Sequence, residues 1–207
     1  ICPHKPADGC ECRKPKVGIL GDYLTRNPVD LAASAVIGDR QTDLDLAKNL
    51  GVRGLRVLKD GSAAETWPTI TAELLARRAS VQRKTKETDI QASVDLDAEG
   101  PITVSTGIGF FDHMLEQVAK HGGFALQLTC RGDLHIDEHH TVEDCALALG
   151  EVLRKALGDK RGIGRYGFLL PMDESRVQVA IDLSGRAYSV WEGKFGRSEV
   201  GGLPTEL

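Results

Sequence analysis

The pattern of apolar residues changes its period near the middle of the chain, and this change constrains the fold more than any other feature. In the first part, apolar runs at 32–38 and 52–58 flank a helical stretch that ends at Gly51, a pattern typical of two parallel strands joined by a helix. In the second part, apolar residues alternate with polar ones at 90–96 and 102–104, which predicts strands with one buried face. The sequence therefore predicts an α/β unit followed by an α+β unit.

The boundary between the two units falls in a stretch of weak periodicity. Trp67-Pro68 interrupts this stretch, and the residues after it allow one short amphipathic helix at 70–78. We therefore divide the chain into a first unit at 1–60, a linker at 61–80 and a second unit at 81–207.

Further elements of the second unit follow from its apolar residues. Two stripes with helical spacing predict helices at 110–118, ending near Gly122, and at 142–156, ending at Gly158. Three apolar runs predict additional strands, at 124–129, 177–183 and 187–191.

The composition of the chain limits the kinds of binding partner that we expect. The chain has 207 residues with 26 basic and 30 acidic side chains, a formal net charge of -4, so it shows no bias toward nucleic acid or an anionic membrane. No apolar run approaches a membrane span, and no secretory signal precedes the first motif. We expect a cytoplasmic protein that binds a small molecule, with no nucleic-acid or membrane partner. Because the chain opens with Ile1 and its last residues close no helix or strand, we also expect an interior fragment of a longer protein.

Four metal-ligating side chains crowd the first twelve residues in the pattern C-x-H-x5-C-x-C. They are Cys2, His4, Cys10 and Cys12. Three thiolates and one imidazole satisfy tetrahedral zinc without an open position, which predicts a structural site. Reduced surface thiols are the alternative. A nucleic-acid-binding zinc module is less favoured, because the nearby basic residues are few and no aromatic surface accompanies them.

A lysine and two aspartates follow this loop. Lys14 comes directly after it, and Asp39 and Asp43 form a GDxxxD motif behind the first predicted strand. A carboxylate at the carboxyl end of a parallel strand faces the crevice where α/β folds bind ligands, and it suits Mg²⁺. The same aspartate could instead cap the following helix.

These motifs together resemble the haloacid-dehalogenase superfamily, and the cysteine loop before Arg13-Lys14-Pro15 is similar to its histidinol-phosphate phosphatase branch. The resemblance implies a structural zinc in the loop, a phosphate-neutralising role for Lys14, a Mg²⁺ ligand in Asp39 and a supporting role for Asp43. In that family the nucleophile lies in a D-x-D motif near the N-terminus, and this chain has no such segment ahead of its cysteine loop. We therefore expect the chain by itself to lack phosphatase activity.

Histidines and carboxylates also gather at the predicted start of the second helix of the second unit. On a helix, His139 and Glu143 are one turn apart, and His140 lies three residues before Glu143. Adjacent histidines point about 100° apart, so they suit two ions better than one. A nitrogen-rich site with a carboxylate suits Mn²⁺, Fe²⁺ or Zn²⁺, and His113 is a further candidate ligand. Capping and helix-dipole roles are the alternatives.

The motifs GIGFFDHM at 107–114 and DEHHTVED at 137–144 resemble imidazoleglycerol-phosphate dehydratase, and the likeness extends from about Arg83 to the end of the chain. The resemblance implies an acid/base and substrate-contacting role for Glu87. It also implies substrate-phosphate binding by Arg165 and Arg186, which otherwise read as solvated turn residues. Manganese ligands are implied for one histidine of the first motif and for three residues of the second, namely His113, His139, His140 and Glu143.

This resemblance further implies the first part of a duplicated α+β fold, a second histidine-glutamate cluster supplied by the other half, and a homo-oligomer of the full-length protein. The implied reaction is loss of water from imidazoleglycerol phosphate to give imidazole-acetol phosphate. The dehydratase hypothesis depends on the side chains of His139, His140 and Glu143 facing a common point. Two other functions remain open: a non-catalytic metal-binding interaction module, and a Mg²⁺ phosphatase whose second unit only oligomerises.

Overall fold

The computed structural model describes residues 2–58, 66–164 and 167–206. It separates the chain into two compact units, with the division between Ala76 and Arg77. This division lies inside the stretch that the sequence assigned to a linker, where the structure places the last helix of the first unit.

The first unit is built on a strand-helix-strand motif. Its elements are α1 (Gly18–Arg26), β1 (Ala35–Gly38), α2 (Gln41–Leu50), β2 (Arg53–Arg56) and α3 (Trp67–Leu74). Strands β1 and β2 pair in parallel, with Ile37 opposite Leu55, and α2 packs on both strands. Leu46 and Ala47 are buried on the inner face of α2. The predicted parallel motif is therefore confirmed.

Glycine ends α2 as the sequence predicts. Gly51 has a φ of 71°, a left-handed conformation that costs glycine little because it has no Cβ. Helix α1 was not predicted, although Ile19, Leu20, Tyr23 and Leu24 recur with helical spacing. None of its residues is buried. Helix α3 ends at Leu74, earlier than the predicted helix at 70–78, because the next strand begins at Arg78.

The second unit contains one four-stranded sheet covered on one face by two helices. The strands are β3 (Arg78–Lys84), β4 (Thr88–Asp95), β5 (Ile102–Ser105) and β6 (Ala125–Gly132), and the helices are α4 (Gly109–Gly122) and α5 (His139–Leu157). The strand order is β3-β4-β6-β5, with β5 parallel to β6 and the other pairs antiparallel. This α+β arrangement and both predicted helices are confirmed.

The core of this unit lies between the sheet and the helices. Helix α5 packs mainly on β3 and β4, and α4 packs on β5 and β6. The side chains at the centre come from both layers and are fully buried: Ile90, Leu126, Leu128, Cys145, Ala148 and Val152. Burial of this size is the main driving force for folding of the unit, and it fixes the first turn of α5 against the ends of β3, β4 and β6.

The remaining residues form two short antiparallel pairs. Strand β7 (Gly167–Met172) pairs with β8 (Ser175–Ala180), and β9 (Glu199–Val200) pairs with β10 (Leu203–Pro204). The prediction of a strand at 187–191 is wrong, since these described residues form none and Tyr188 and Trp191 are 88% and 71% exposed. An apolar alternation becomes a strand only when a neighbouring strand satisfies its backbone groups, and no described strand pairs with it.

Within the described ranges, no helix combines the length and the apolar character needed to cross a membrane.

Gly132, the last residue of β6, allows α5 to approach the sheet closely. A Cβ at this position would lie 1.9 Å from Thr141 Oγ1 and 3.2 Å from Thr141 Cβ, and Thr141 is fully buried. We expect Gly132→Ala to lower the free energy of unfolding by about 1–3 kcal/mol through overpacking. Urea unfolding followed by the helical circular dichroism signal measures this change.

Two variants control this prediction. Gly150→Ala makes the same change at an exposed position of α5 with no atom within 4 Å, and it should stabilise the protein by about 0.5–1 kcal/mol. Combining Gly132→Ala with Thr141→Ala removes the close contact and should recover part of the loss. Wild-type stability of Gly132→Ala alone would show that the approach is not tight.

Candidate metal and substrate sites

The cysteine loop at the start of the first unit brings four ligand atoms together. One atom from each of Cys2, His4, Cys10 and Cys12 lies within 4.8 Å of all the others. The Sγ atom of Cys2 is 3.5 Å from that of Cys10 and 3.1 Å from that of Cys12, and Cys12 Sγ is 3.1 Å from His4 Nδ1. Tetrahedral zinc with Zn–S bonds of about 2.3 Å places its ligands roughly 3.7 Å apart, so these residues fit a closed zinc site.

The thiols of this loop influence one another's ionisation. Hydrogen bonds with Cys2 and Cys10, together with burial, raise the pKa of Cys12 to about 12. Burial raises the pKa of Cys10, but hydrogen bonds with Cys12 and Cys2 outweigh it and leave this pKa lowered. The opposite directions of these two shifts oppose simultaneous ionisation of Cys10 and Cys12, and a bound metal would deprotonate a coordinating thiol.

Lys14 and Asp43 form an ion pair after this loop. Lys14 Nζ donates to Asp43 Oδ1, while Asp43 Oδ2 accepts the backbone N–H of Arg40 at 3.1 Å and so caps α2. The hydrogen bond from Lys14 lowers the pKa of Asp43 against the opposing effect of burial. Asp39 follows β1 at its carboxyl end and is exposed, and Gly38 beside it leaves room for the Asp43 side chain.

At the start of α5, the two histidines point to different partners. His139 Nε2 lies 3.4 Å from Glu143 Oε2, whereas His140 Nδ1 lies 3.0 Å from Asp133 Oδ2. Their rings are 6.0 Å apart and inclined at 83°. The prediction that His139, His140 and Glu143 face one point is therefore wrong, and the arrangement instead favours the alternative in which the two adjacent histidines serve different ions. Successive helical residues diverge by about 100°, and among the described residues only the cysteine loop forms a group of three or more converging ligands.

The contact with Asp133 prepares His140 for ligand binding. A carboxylate oxygen accepts hydrogen bonds, so Nδ1 of His140 donates to Asp133, which leaves Nε2 as the ring nitrogen that could hold a metal ion. The hydrogen bond with Asp133 raises the pKa of His140, and the negative charges of Asp133, Asp137 and Glu87 add to this effect while burial opposes it. Glu87 is half-buried in the turn before β4.

A second carboxylate of α5 joins this region to the β3–β4 turn. Asp144 accepts hydrogen bonds from Arg83 Nη2 at 2.7 Å and from Thr88 Oγ1 at 2.6 Å. Burial raises the pKa of Asp144, but the hydrogen bonds from Thr88 and Arg83 outweigh it and leave this pKa lowered. Sequence reasoning missed the roles of Asp133 and Asp144. The position of Asp133 seven residues before His140 was a usable signal, but no local pattern predicts the Arg83–Asp144 pair.

The other predicted site residues lie apart from this region or outside the description. His113 is exposed on the first turns of α4, and Arg186 is exposed beyond β8. The hydrogen bonds and ion pairs of the described residues do not join either to Glu87 or His140. Arg165 lies outside the described residues.

Comparisons with known proteins agree with the two units. The family model for imidazoleglycerol-phosphate dehydratase matches residues 106–207, and the HAD-hydrolase-like model matches residues 11–77. The solved imidazoleglycerol-phosphate dehydratase of Staphylococcus aureus is similar with 32% identity and a TM-score of 0.52, over 62% of this chain and 71% of that one. The chain therefore belongs to the imidazoleglycerol-phosphate dehydratase family, with a haloacid-dehalogenase-like unit preceding the dehydratase-like unit.

Over nearly its whole length the chain is similar to curated proteins that carry both units. The histidine biosynthesis bifunctional protein HisB of Actinobacillus pleuropneumoniae is 52% identical over 100% of this chain and 59% of its own length. The HisB proteins of Stenotrophomonas maltophilia and Legionella pneumophila are 54% and 53% identical over 98% and 100% of the chain. The chain spans 57–59% of the length of these three relatives.

Proposed function

We propose that the full-length protein containing this chain acts in histidine biosynthesis, dehydrating imidazoleglycerol phosphate and removing phosphate from histidinol phosphate. The observation that carries the dehydratase part is the position of Glu87 in the 85–88 turn, which Asp144, one helical turn after His140 on α5, holds through Thr85 and Thr88. A proton-transferring carboxylate beside a ligand histidine is what an elimination at a metal-held imidazole requires. The names of the bifunctional relatives support the pairing of the two activities.

In the proposed reaction, the substrate loses a carbon-bound proton and the hydroxyl of the adjacent carbon as water. Glu87 would take the carbon-bound proton, and His139, His140 and Glu143 would contribute ligands for Mn²⁺, which when bound would supply Lewis-acid polarisation of the substrate imidazole. On this chain His139 pairs with Glu143, and His140 pairs with Asp133 instead, so these ligands are fewer than a divalent ion requires. We propose that His113 and residues from the rest of the full-length protein complete the coordination, and that Arg165 and Arg186 bind the substrate phosphate.

For the first unit we propose a structural zinc in the cysteine loop and a Mg²⁺ site that includes Asp39. Lys14, held beside Asp43, would neutralise the substrate phosphate. The aspartate nucleophile would come from the remainder of the full-length protein. We further propose that this protein is a cytoplasmic homo-oligomer.

The test is an assay of the full-length protein with imidazoleglycerol phosphate, after removal of weakly held metal and with Mn²⁺ added back. We expect the ketone product to form only in the presence of Mn²⁺, and metal analysis to find one tightly held zinc per chain in addition to manganese. Asp39→Asn is the control, since it should abolish release of phosphate from histidinol phosphate while leaving dehydration unchanged.

One observation favours a second candidate function, that of a non-catalytic interaction module with a structural zinc. The cysteine loop is the one group of converging metal ligands among the described residues. One zinc per chain, no bound manganese and no dehydration under any divalent ion would establish this function in place of the enzyme.

A further inference from the structure

Asp144 is a buried carboxylate that the proposed reaction does not use. Only 9% of the residue is exposed. It follows His140 by four residues, so both side chains lie on the same side of α5. Burying an ionised carboxylate is costly unless charged or polar partners surround it, and the partners of Asp144 all come from β3, β4 and the turn between them.

Each carboxylate oxygen of Asp144 has its own set of donors. Oδ1 accepts Nη2 and Nε of Arg83 at 2.7 and 3.2 Å, a charge-assisted contact from the end of β3. Oδ2 accepts the hydroxyl of Thr88 at 2.6 Å and that of Thr85 at 3.3 Å. Asp144 therefore holds both ends of the β3–β4 turn.

The hydroxyl of Thr85 connects Asp144 to the backbone of Glu87. Its Oγ1 accepts the backbone N–H of Glu87 at 3.2 Å and that of Thr88 at 2.9 Å, so the turn folds around this one oxygen. The backbone of Glu87 is thus fixed by Thr85, and Thr85 is fixed by a carboxylate on the same helix as His140.

We propose that Asp144 is a positioning residue that holds Glu87 at a set distance from His140 by ordering the 85–88 turn through Thr85 and Thr88. This inference rests on the proposed dehydratase function. Asparagine at position 144 would offer one acceptor oxygen instead of two and no negative charge. The turn would then lose either the Thr88 or the Arg83 contact, and Glu87 would move relative to the reacting carbon.

The kinetic test compares Asp144→Asn with the wild-type full-length protein under saturating Mn²⁺. We expect kcat for dehydration to fall about 10- to 100-fold, the cost of misplacing a reacting group by roughly 1 Å, while KM changes less than about threefold because the phosphate is bound elsewhere. Asp97→Asn is the matched control. It removes another Arg–carboxylate pair, with Arg77 at 2.7 Å, from the opposite end of the same two strands, and it should leave kcat unchanged.

A double-mutant cycle with Glu87→Gln separates positioning from a structural role. If Asp144 acts through Glu87, then adding Asp144→Asn to Glu87→Gln should slow the reaction by less than about twofold. Thr85→Val should reproduce the loss in kcat, and Thr85→Ser, which keeps the hydroxyl, should restore most of it. The proposal would be overturned if the kcat losses of the two single variants multiplied in the double variant. It would also be overturned if Asp144→Asn changed kcat and KM equally.

Amide hydrogen exchange in the 85–88 turn tests, independently of activity, whether Asp144 orders this turn. Asp144→Asn should accelerate exchange of the Glu87 and Thr88 amides at least about tenfold, with wild-type rates in β6 and in the last turns of α5. Unchanged exchange in the turn would overturn the proposal even if kcat falls. A wild-type protein that fails to dehydrate the substrate would instead refute the proposed function, while the exchange data still test the ordering of the turn.

Discussion

Replacing His140 with alanine in the full-length protein is expected to lower kcat for imidazoleglycerol phosphate dehydration by about 10³-fold or more. The imidazole of His140 has its Nδ1 held by Asp133 at 3.0 Å, which leaves Nε2 for a metal ion. Losing a ligand from the ion that stabilises the developing charge removes several kcal/mol of transition-state stabilisation, and each 1.4 kcal/mol corresponds to a factor of ten in rate. Steady-state kinetics and bound manganese per chain measure the two consequences.

Two further variants test the expected effect of His140→Ala on kcat and manganese content. His121→Ala replaces another histidine, exposed in the last turn of α4, and it should leave kcat and metal content unchanged. Asp133→Asn keeps the ligand but weakens its orientation, so it should lower manganese affinity about 10- to 100-fold, the usual cost of changing a residue that orients a ligand histidine. Wild-type turnover by His140→Ala would exclude this histidine from the catalytic metal site.

Replacing Cys12 with serine is expected to abolish tight zinc binding by the first unit. Cys12 Sγ contacts the ligand atoms of Cys2, His4 and Cys10 at 3.1–3.4 Å, so it lies close to all three other ligands. Structural zinc supplies about 10–16 kcal/mol of apparent binding free energy in small domains, and a serine hydroxyl is a poor substitute for a thiolate. We expect zinc affinity to fall by more than about 10²-fold, measured by competition with a chromophoric chelator.

The consequence should extend to Lys14, which follows Cys12 by two residues. Without zinc, residues 2–12 keep only exposed contacts such as the ion pair of Glu11 with Lys16. Lys14 should then lose its fixed position beside Asp43, and phosphatase activity of the full-length protein should fall. Cys130→Ala is the control, because it removes a thiol from the core of the second unit and should retain one zinc per chain. Full zinc content in Cys12→Ser would mean that the cysteine loop is not the zinc site.

Much of the secondary structure was predictable because its signals are local. The stripes of α4 and α5 and the glycines that end α2 and α4 lie within one helix length of the residues they organise. The prediction of a strand at 187–191 was wrong because an alternating pattern indicates only which face could be buried. Strand pairing also needs a partner strand elsewhere in the chain. Strand β7 was missed for the related reason that its exposed residues carry no clear period.

The candidate sites divide in the same way. The cysteine loop was predictable because its ligands lie within eleven consecutive residues, and a short segment can close on one ion without help from the rest of the fold. The histidine cluster was predictable in composition but not in geometry, since Asp133 turns His140 away from the His139–Glu143 pair.

By itself, the sequence determined the two unit classes, the glycine-marked ends of α2, α4 and α5, and the zinc-type loop, because each depends on interactions between residues close along the chain. Tertiary structure alone decided where Glu87 lies relative to His140. That distance depends on the packing of α5 against β3 and β4 and on the contacts of Asp144 with Arg83 and Thr88, residues 61 and 56 positions away. Such contacts form only when the sheet and the helix pack together, which costs conformational entropy. No local sequence pattern therefore encodes them.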